Sequence, residues 1–249
     1  MGDWIRRHRG VAMAIAGIVA LVVGFALLAV AVLSGRTRGF DQAVLGALRD
    51  GAGVPVGPSW LPKAVQDWSA LGSSHIVVPV VVVVTIALVL AKRPRTAIML
   101  IACLVGTAVI VNGLKLLFAR ARPDAVSHID IVTGFSFPSG HTTTATAFYA
   151  TVGFIVASAI QDRAVRRFVY LMAALIPLAV GFTRVYLGVH YPTDVFGGWM
   201  VGLAWALCLG LSNQLLQRRG VVEDARGDLS QDDPPSPPVA GASDLAPPG

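Results

Sequence analysis

The chain has 249 residues, of which 55% are hydrophobic and only 14% charged, with a formal net charge of +6. Soluble domains carry about 25% charged residues, so this composition excludes an ordinary soluble fold. The basic surplus sits in short clusters between apolar runs, the pattern of a membrane-topology signal rather than of a nucleic-acid surface.

The N-terminal stretch begins with Arg6, Arg7 and Arg9 and continues as an apolar run from Val11 to Leu33. That run exceeds the ~7–15-residue core of a secretory signal, which favours a retained transmembrane helix. Arg6 stands where a myristoylation signal places Ser or Thr. Further candidate spans follow at 76–91, 96–118, 143–160, 168–187 and 195–216, each near the roughly 20 apolar residues a crossing helix needs. The Val77–Val84 run reads as a buried strand in water. In lipid an open strand leaves its backbone groups unsatisfied, so helix is predicted there too. The expected fold is an all-α, polytopic membrane bundle of about six transmembrane helices, forming one domain over 11–216.

Between the first two spans lies the segment 34–75. Phe40, Val44, Leu45 and Leu48 repeat at helical spacing, as do Leu61, Val65 and Trp68. Both sets predict short amphipathic helices on the outer membrane surface. They read first as interfacial anchors, and alternatively as the border of a lateral route for a lipid. Cys103 and Cys208 stand alone in apolar segments and form neither a disulfide framework nor a metal site. The end of the chain is rich in Pro, Asp, Gly and Ser, with Pro234, Pro235, Pro237 and Pro238 flanking Ser236. It cannot bury enough apolar surface to fold, so 217–249 is expected to be a disordered tail.

Basic clusters at Arg6, Arg7 and Arg9, at Lys92, Arg93 and Arg95, at Arg163, Arg166 and Arg167, and at Arg218 and Arg219 fall on one face of a six-span protein. The positive-inside rule makes that face cytoplasmic. Residues 1–10 and the tail then lie in the cytoplasm, 34–75 lies outside, and the chain is a multi-pass plasma-membrane protein.

Three stretches carry chemistry. In the first, Lys115 near the end of the third span is followed by Arg120, Arg122 and Pro123. Lys115 alone reads as a snorkelling anchor, and the arginines alone as loop charges. Together they are three cations on the face the positive-inside trend disfavours, which an anionic ligand would explain. In the second, Pro138, Ser139, Gly140 and His141 open the fourth span. A helix start offers free N–H groups and a positive dipole end to an anion. Ser139 also suits a plain helix cap, but a cap has no need of His141. In the third, Thr183 and Arg184 end the fifth span, and His190, Pro192 and Asp194 lead into the sixth. An aspartate accepting from one imidazole nitrogen leaves the other free as a nucleophile; the competing reading is an interfacial histidine and a helix-start charge. The alternating direction of the spans brings all of these residues to one membrane face.

The three stretches resemble the tripartite signature of the type 2 phosphatidic acid phosphatase superfamily. That signature runs Lys, six residues, Arg-Pro; then Pro-Ser-Gly-His; then Ser-Arg, five residues, His, three residues, Asp. The match falls on Lys115, Arg122, Pro123, Pro138, Ser139, Gly140, His141, Arg184, His190 and Asp194. The one departure is Thr183 in place of Ser, which keeps the hydroxyl. The resemblance spans about residues 70–210. It implies a lipid phosphate phosphatase with His190 as the nucleophile that forms a phosphohistidine, Asp194 as its orienting partner and His141 as general acid and then base. Lys115, Arg122, Ser139, Gly140 and Arg184 would bind the phosphoryl oxygens, with Pro138 and Thr183 in support. It implies no metal and no cofactor. The expected substrates are membrane lipid phosphates: a polyprenyl diphosphate, phosphatidic acid or phosphatidylglycerol phosphate. The expected partners are that lipid and the bilayer, without nucleic acid. A lipid phosphotransferase is the neighbouring alternative, and a non-enzymatic lipid-binding or transport protein the distant one. Transport sites usually lie near the bilayer midplane in broken helices, whereas these polar groups gather at helix ends.

Overall fold

A computed structural model describes residues 2–123 and 134–218, with side chains described over 9–123 and 134–216. Its main elements are eight α-helices: α1 (Gly2–Leu33), α2 (Arg38–Ala47), α3 (Leu61–Ser69), α4 (Ser74–Leu90), α5 (Pro94–Phe118), α6 (Gly140–Ala159), α7 (Arg163–Tyr186) and α8 (Pro192–Arg218). A 3₁₀ turn over Ala70–Gly72 joins α3 to α4. All six expected spans are helical, and the amphipathic patterns of 34–75 appear as α2 and α3. The helices of the spans start two or more residues before the apolar runs, and α1 starts within the segment expected to precede its span. The reason is that a first turn needs only helical backbone geometry, and at α4 and α7 a polar side chain also caps it. Asp162, for example, accepts the N–H groups of Ala164 and Val165 at 2.7 and 2.9 Å. The tail expected from 217 lies outside the described residues beyond Arg218, where α8 ends.

Among the described residues, four helical segments are long and apolar enough to cross a membrane: Arg9–Leu33, α5, α7 and Pro192–Leu216 of α8. Leu61–Gly72 and α4, bent by 41° at their junction, pass together as a fifth. The fold is therefore all-α and multi-pass, with four to five candidate spans where the sequence suggested about six. The difference is α6. Its first half carries Thr142, Thr143, Thr144 and Thr146. It is also the central helix, packed against α4, α5, α7 and α8, so it does not depend on an apolar surface to meet lipid. The outer helices do: Met13, Leu27, Leu90, Val109 and Leu116 are all more than 60% exposed.

Apolar burial drives helices together weakly within lipid, so close backbone approach matters more. The α6–α8 contact is built on it. A Cβ at Gly198 would stand 2.9 Å from Thr142 Cβ and 3.0 Å from the Ser139 carbonyl, and one at Gly202 would stand 2.7 Å from the Thr143 carbonyl. These two glycines, one turn apart, let the start of α8 lie directly against the start of α6. The loop entering α6 is fixed by Phe137, which is stacked on Phe25 of α1 at 5.4 Å and set edge-on to Phe118 of α5 at 5.2 Å.

Candidate active site

The polar residues of the three stretches converge where α5 ends, α6 begins, α7 ends and α8 begins. His190 lies in the turn between α7 and α8 and is 2% exposed. Its Nδ1 faces Asp194 Oδ2 at 3.3 Å, and its Nε2 faces the Arg122 guanidinium at 3.2 Å. A carboxylate on one side and an N–H donor on the other select a single tautomer: Nδ1 carries the proton and Nε2 presents its lone pair. Burial pushes the imidazole down to about 4, while Asp194 pulls the other way. The ring is therefore neutral at pH 7, as a nucleophile requires.

Arg122 is held by backbone carbonyls. It donates to Gly134 O at 3.0 Å, to Val189 O at 2.9 Å and to Phe135 O at 3.4 Å. Arg184 is 1% exposed and donates to Ser69 Oγ at 2.6 Å. Arg184, His190, Lys115 and Arg122 all lie within Coulombic reach of His141, in the first turn of α6. Lys115 Nζ approaches to 3.7 Å of the place a Cβ would take on Gly140, so the lysine is aimed at the amide end of α6 rather than snorkelling away from it. Three cations and a helix N-terminus thus surround two histidines, an arrangement suited to an oxyanion with several charged oxygens. Among the described residues, no three His, Cys, Asp or Glu side chains gather as a metal-ion site.

Ser139 is not a side-chain cap of α6. Its Oγ accepts from Thr142 Oγ1 at 2.9 Å, and its N–H donates to the Asp194 carbonyl at 2.9 Å. This second bond ties the second stretch directly to the third. Pro138 follows Phe137 in a cis peptide and is buried at the same entrance. Thr183 Oγ1 donates to Val180 O at 2.6 Å within α7. Serine can make that bond too, so Thr183→Ser is expected to cost about 1 kcal/mol of stability for its buried methyl and to leave phosphate release essentially unchanged. Thermal unfolding in detergent and turnover of the same preparation check this; a roughly hundredfold loss of rate would assign the methyl group a part in the chemistry.

Three residues that sequence reasoning did not place at the site are there: Ser69, Asp41 and Thr193. Ser69 meets Arg184, and Asp41, Arg120 and Thr193 form a buried cluster on Asp194. Arg120, read as a loop charge or, with Lys115 and Arg122, as one of three cations for an anionic ligand, instead donates to Asp194 Oδ1 at 2.5 Å, to Thr193 Oγ1 at 2.8 Å and to Asp41 Oδ2 at 2.7 Å. It also lies 4.2 Å over the Tyr191 ring. Asp41 had a signal. It precedes Val44, Leu45 and Leu48 by three, four and seven residues, and so lies on the apolar stripe of α2. Phe40, assigned to that stripe, is 49% exposed, while Asp41 is fully buried. Ser69 likewise continues the Leu61–Val65 stripe of α3, whereas Trp68 is 54% exposed. The two amphipathic helices thus pack on α8 and α7 and deliver polar side chains to the site, beyond any interfacial anchoring.

The sequence model of the PAP2 superfamily matches residues 96–218. Phosphatidylglycerophosphatase B of Bacillus subtilis (strain 168) is 29% identical over 187 residues, which is 74% of this chain and 89% of that protein. An undecaprenyl-diphosphatase of Sulfolobus acidocaldarius is 28% identical over 140 residues, 54% of this chain and 62% of its own. The crystal structure of a transmembrane PAP2-type phosphatidylglycerolphosphate phosphatase from Bacillus subtilis superposes with a TM-score of 0.73 at 28% identity, covering 81% of this chain and 98% of that one.

Proposed function

Because this chain belongs to the PAP2 superfamily and is a membrane lipid phosphatase, we propose that it hydrolyses a lipid phosphate or diphosphate through a phosphohistidine on His190. The observation that carries this reading is the pair of contacts on that ring: Asp194 behind Nδ1 and Arg122 at Nε2.

In the first step Nε2 attacks phosphorus. The N–P bond forms, the P–O bond to the leaving group breaks, and His141 gives that oxygen its proton. Arg122, which donates to Nε2 in the free site, turns to a phosphoryl oxygen beside Lys115 and Arg184, with Ser139 and the Gly140 N–H completing the cradle. The ring becomes cationic when Nε2 is phosphorylated, and the Asp194 carboxylate offsets that charge. In the second step His141 takes a proton from water, the resulting oxygen attacks phosphorus, and the N–P bond breaks. Pro138 and Thr183 support the helix ends that hold these groups. The three cations and helix dipole supply the charge stabilisation that phosphoryl transfer needs, so the reaction is assigned without a metal.

With α6 counted as a sixth crossing, the positive-inside rule puts the basic clusters and both termini in the cytoplasm and the site at the outer face. A lipid head group sits at that level. An apolar cavity of about 650 Å³, lined in part by Ala150, Phe154, Leu178, Trp199 and Leu203, begins one to two helical turns below the site and gives a hydrocarbon chain room beside the bundle. A polyprenyl diphosphate is the leading substrate, with phosphatidic acid and phosphatidylglycerol phosphate next.

The test is phosphate release by purified protein in EDTA, from lipid diphosphates, lipid monophosphates and soluble esters, paired with substrate offered from outside to intact cells. Lipid diphosphates are expected to react fastest, vanadate to inhibit, and intact cells to hydrolyse the external substrate. A preference for soluble sugar phosphates, activity restored only by Mg²⁺, or hydrolysis only after lysis would each overturn the corresponding part.

A further inference from the structure

We propose that Asp41 and Arg120 are positioning residues of the phosphatase, which fix Asp194 behind His190 and set the charge that the phosphorylated ring meets. The inference rests on the phosphohistidine reading above.

Asp194 divides its two oxygens. Oδ2 faces His190 Nδ1 at 3.3 Å and accepts the Tyr191 N–H at 2.9 Å, while Oδ1 accepts from Arg120 at 2.5 Å. With Oδ1 engaged, the carboxylate cannot rotate away from the ring. Arg120 is itself held from behind by Asp41 Oδ2 at 2.7 Å. Asp41 then reaches past Arg120 to the start of α8. Pro192 has no N–H to offer there, and the N–H of Thr193 donates to Asp41 Oδ1 at 3.1 Å. The Thr193 hydroxyl donates to the same carboxylate, with 2.8 Å to Oδ2. Asp41, carried on α2, therefore caps α8 from another helix, and α8 is the element that carries Asp194.

Geometry alone would make this a brace, but the charges give it a second consequence. Asp41 and Asp194 are fully buried and the Arg120 side chain is 14% exposed. Two carboxylates and one guanidinium sum to one negative charge, in a place where solvent screening is weak. Arg120 by itself would cancel Asp194. Asp41 cancels Arg120 instead, and leaves the net charge that opposes the cation formed on His190 during phosphorylation. The interactions of Asp41 should therefore count more in the transition state than in substrate binding.

The test compares kcat and KM on a lipid phosphate for Asp41→Asn, Arg120→Lys, Arg120→Met and the double variant Asp41→Asn with Arg120→Met. Asn keeps the size of Asp41 and an oxygen for Thr193 but removes the charge. Asp41→Asn is expected to lower kcat at least about tenfold, with KM within about threefold of wild type. Arg120→Met leaves two buried carboxylates against each other and is expected to fall further, while Arg120→Lys recovers part of the loss. Adding Asp41→Asn to Arg120→Met is expected to raise kcat above that of Arg120→Met alone, because it removes the uncompensated charge. Wild-type kcat in Asp41→Asn, or losses that simply multiply in the double variant, would overturn the proposal. If Arg120→Met does not insert, the kcat and KM of Asp41→Asn decide; if Asp41→Asn does not insert, the role is a brace alone and the proposal falls. A wild-type protein that releases no phosphate from lipid substrates fails the functional reading instead.

Discussion

His190→Ala is expected to insert and fold as the wild type does and to release no phosphate above background. The loss should exceed the roughly 10²–10⁴-fold that a positioned acid–base group contributes, because the nucleophile has no substitute within the site. The usual objection to replacing a buried partner of a carboxylate is that the charge left behind destabilises the fold. Here Asp194 keeps Arg120 on Oδ1 and the Tyr191 N–H on Oδ2, so it is not orphaned. Loss of activity with an unchanged melting profile is thus the expected pair of results. Turnover near the wild-type rate would remove His190 from the chemistry.

His141→Ala is expected to slow turnover by about 10²–10⁴-fold for a different reason. Alanine favours the first turn of α6 as well as histidine does, so the helix start and its amides stay in place. What disappears is the group that protonates the leaving oxygen and later activates water. A substrate whose leaving group departs without a proton, such as an aryl phosphate, bypasses the first need but not the second. With such a substrate the variant should give a burst of one leaving group per site followed by a slow phase. A uniform slowing with no burst would place the lost function before phosphoenzyme formation only.

The parts of this site that were legible in the sequence are those with short-range spacing. His190 and Asp194 are one helical turn apart, and Ser139 through His141 are contiguous, so their juxtaposition follows from local geometry and from the direction of the spans. The residues that were not legible depend on packing between distant segments. Arg120 meets Asp41 across 79 positions, and Arg184 meets Ser69 across 115. Nothing in the local pattern of α2 says which helix its buried face will meet. The pattern does show an acid on that face, and the cost of burying an unpaired carboxylate is reason enough to look for its cation. The Ser139 hydroxyl illustrates the opposite limit: its position suits a cap, but Thr142 on the next turn takes the bond. The apolar runs counted 143–160 as a sixth span, whereas α6 is not among the four to five candidate spans of the structure: enclosed by four other helices, it carries threonines in place of a fully apolar surface.

The most direct measurement is to quench the wild type and His141→Ala during turnover of an aryl phosphate labelled in its phosphoryl group, and to map the protein-bound label. The account predicts label on His190 that is lost in acid and survives alkali, enriched in His141→Ala and missing from His190→Ala. Acid-stable label on Ser139, or no bound label in His141→Ala once leaving group has been released, would contradict it.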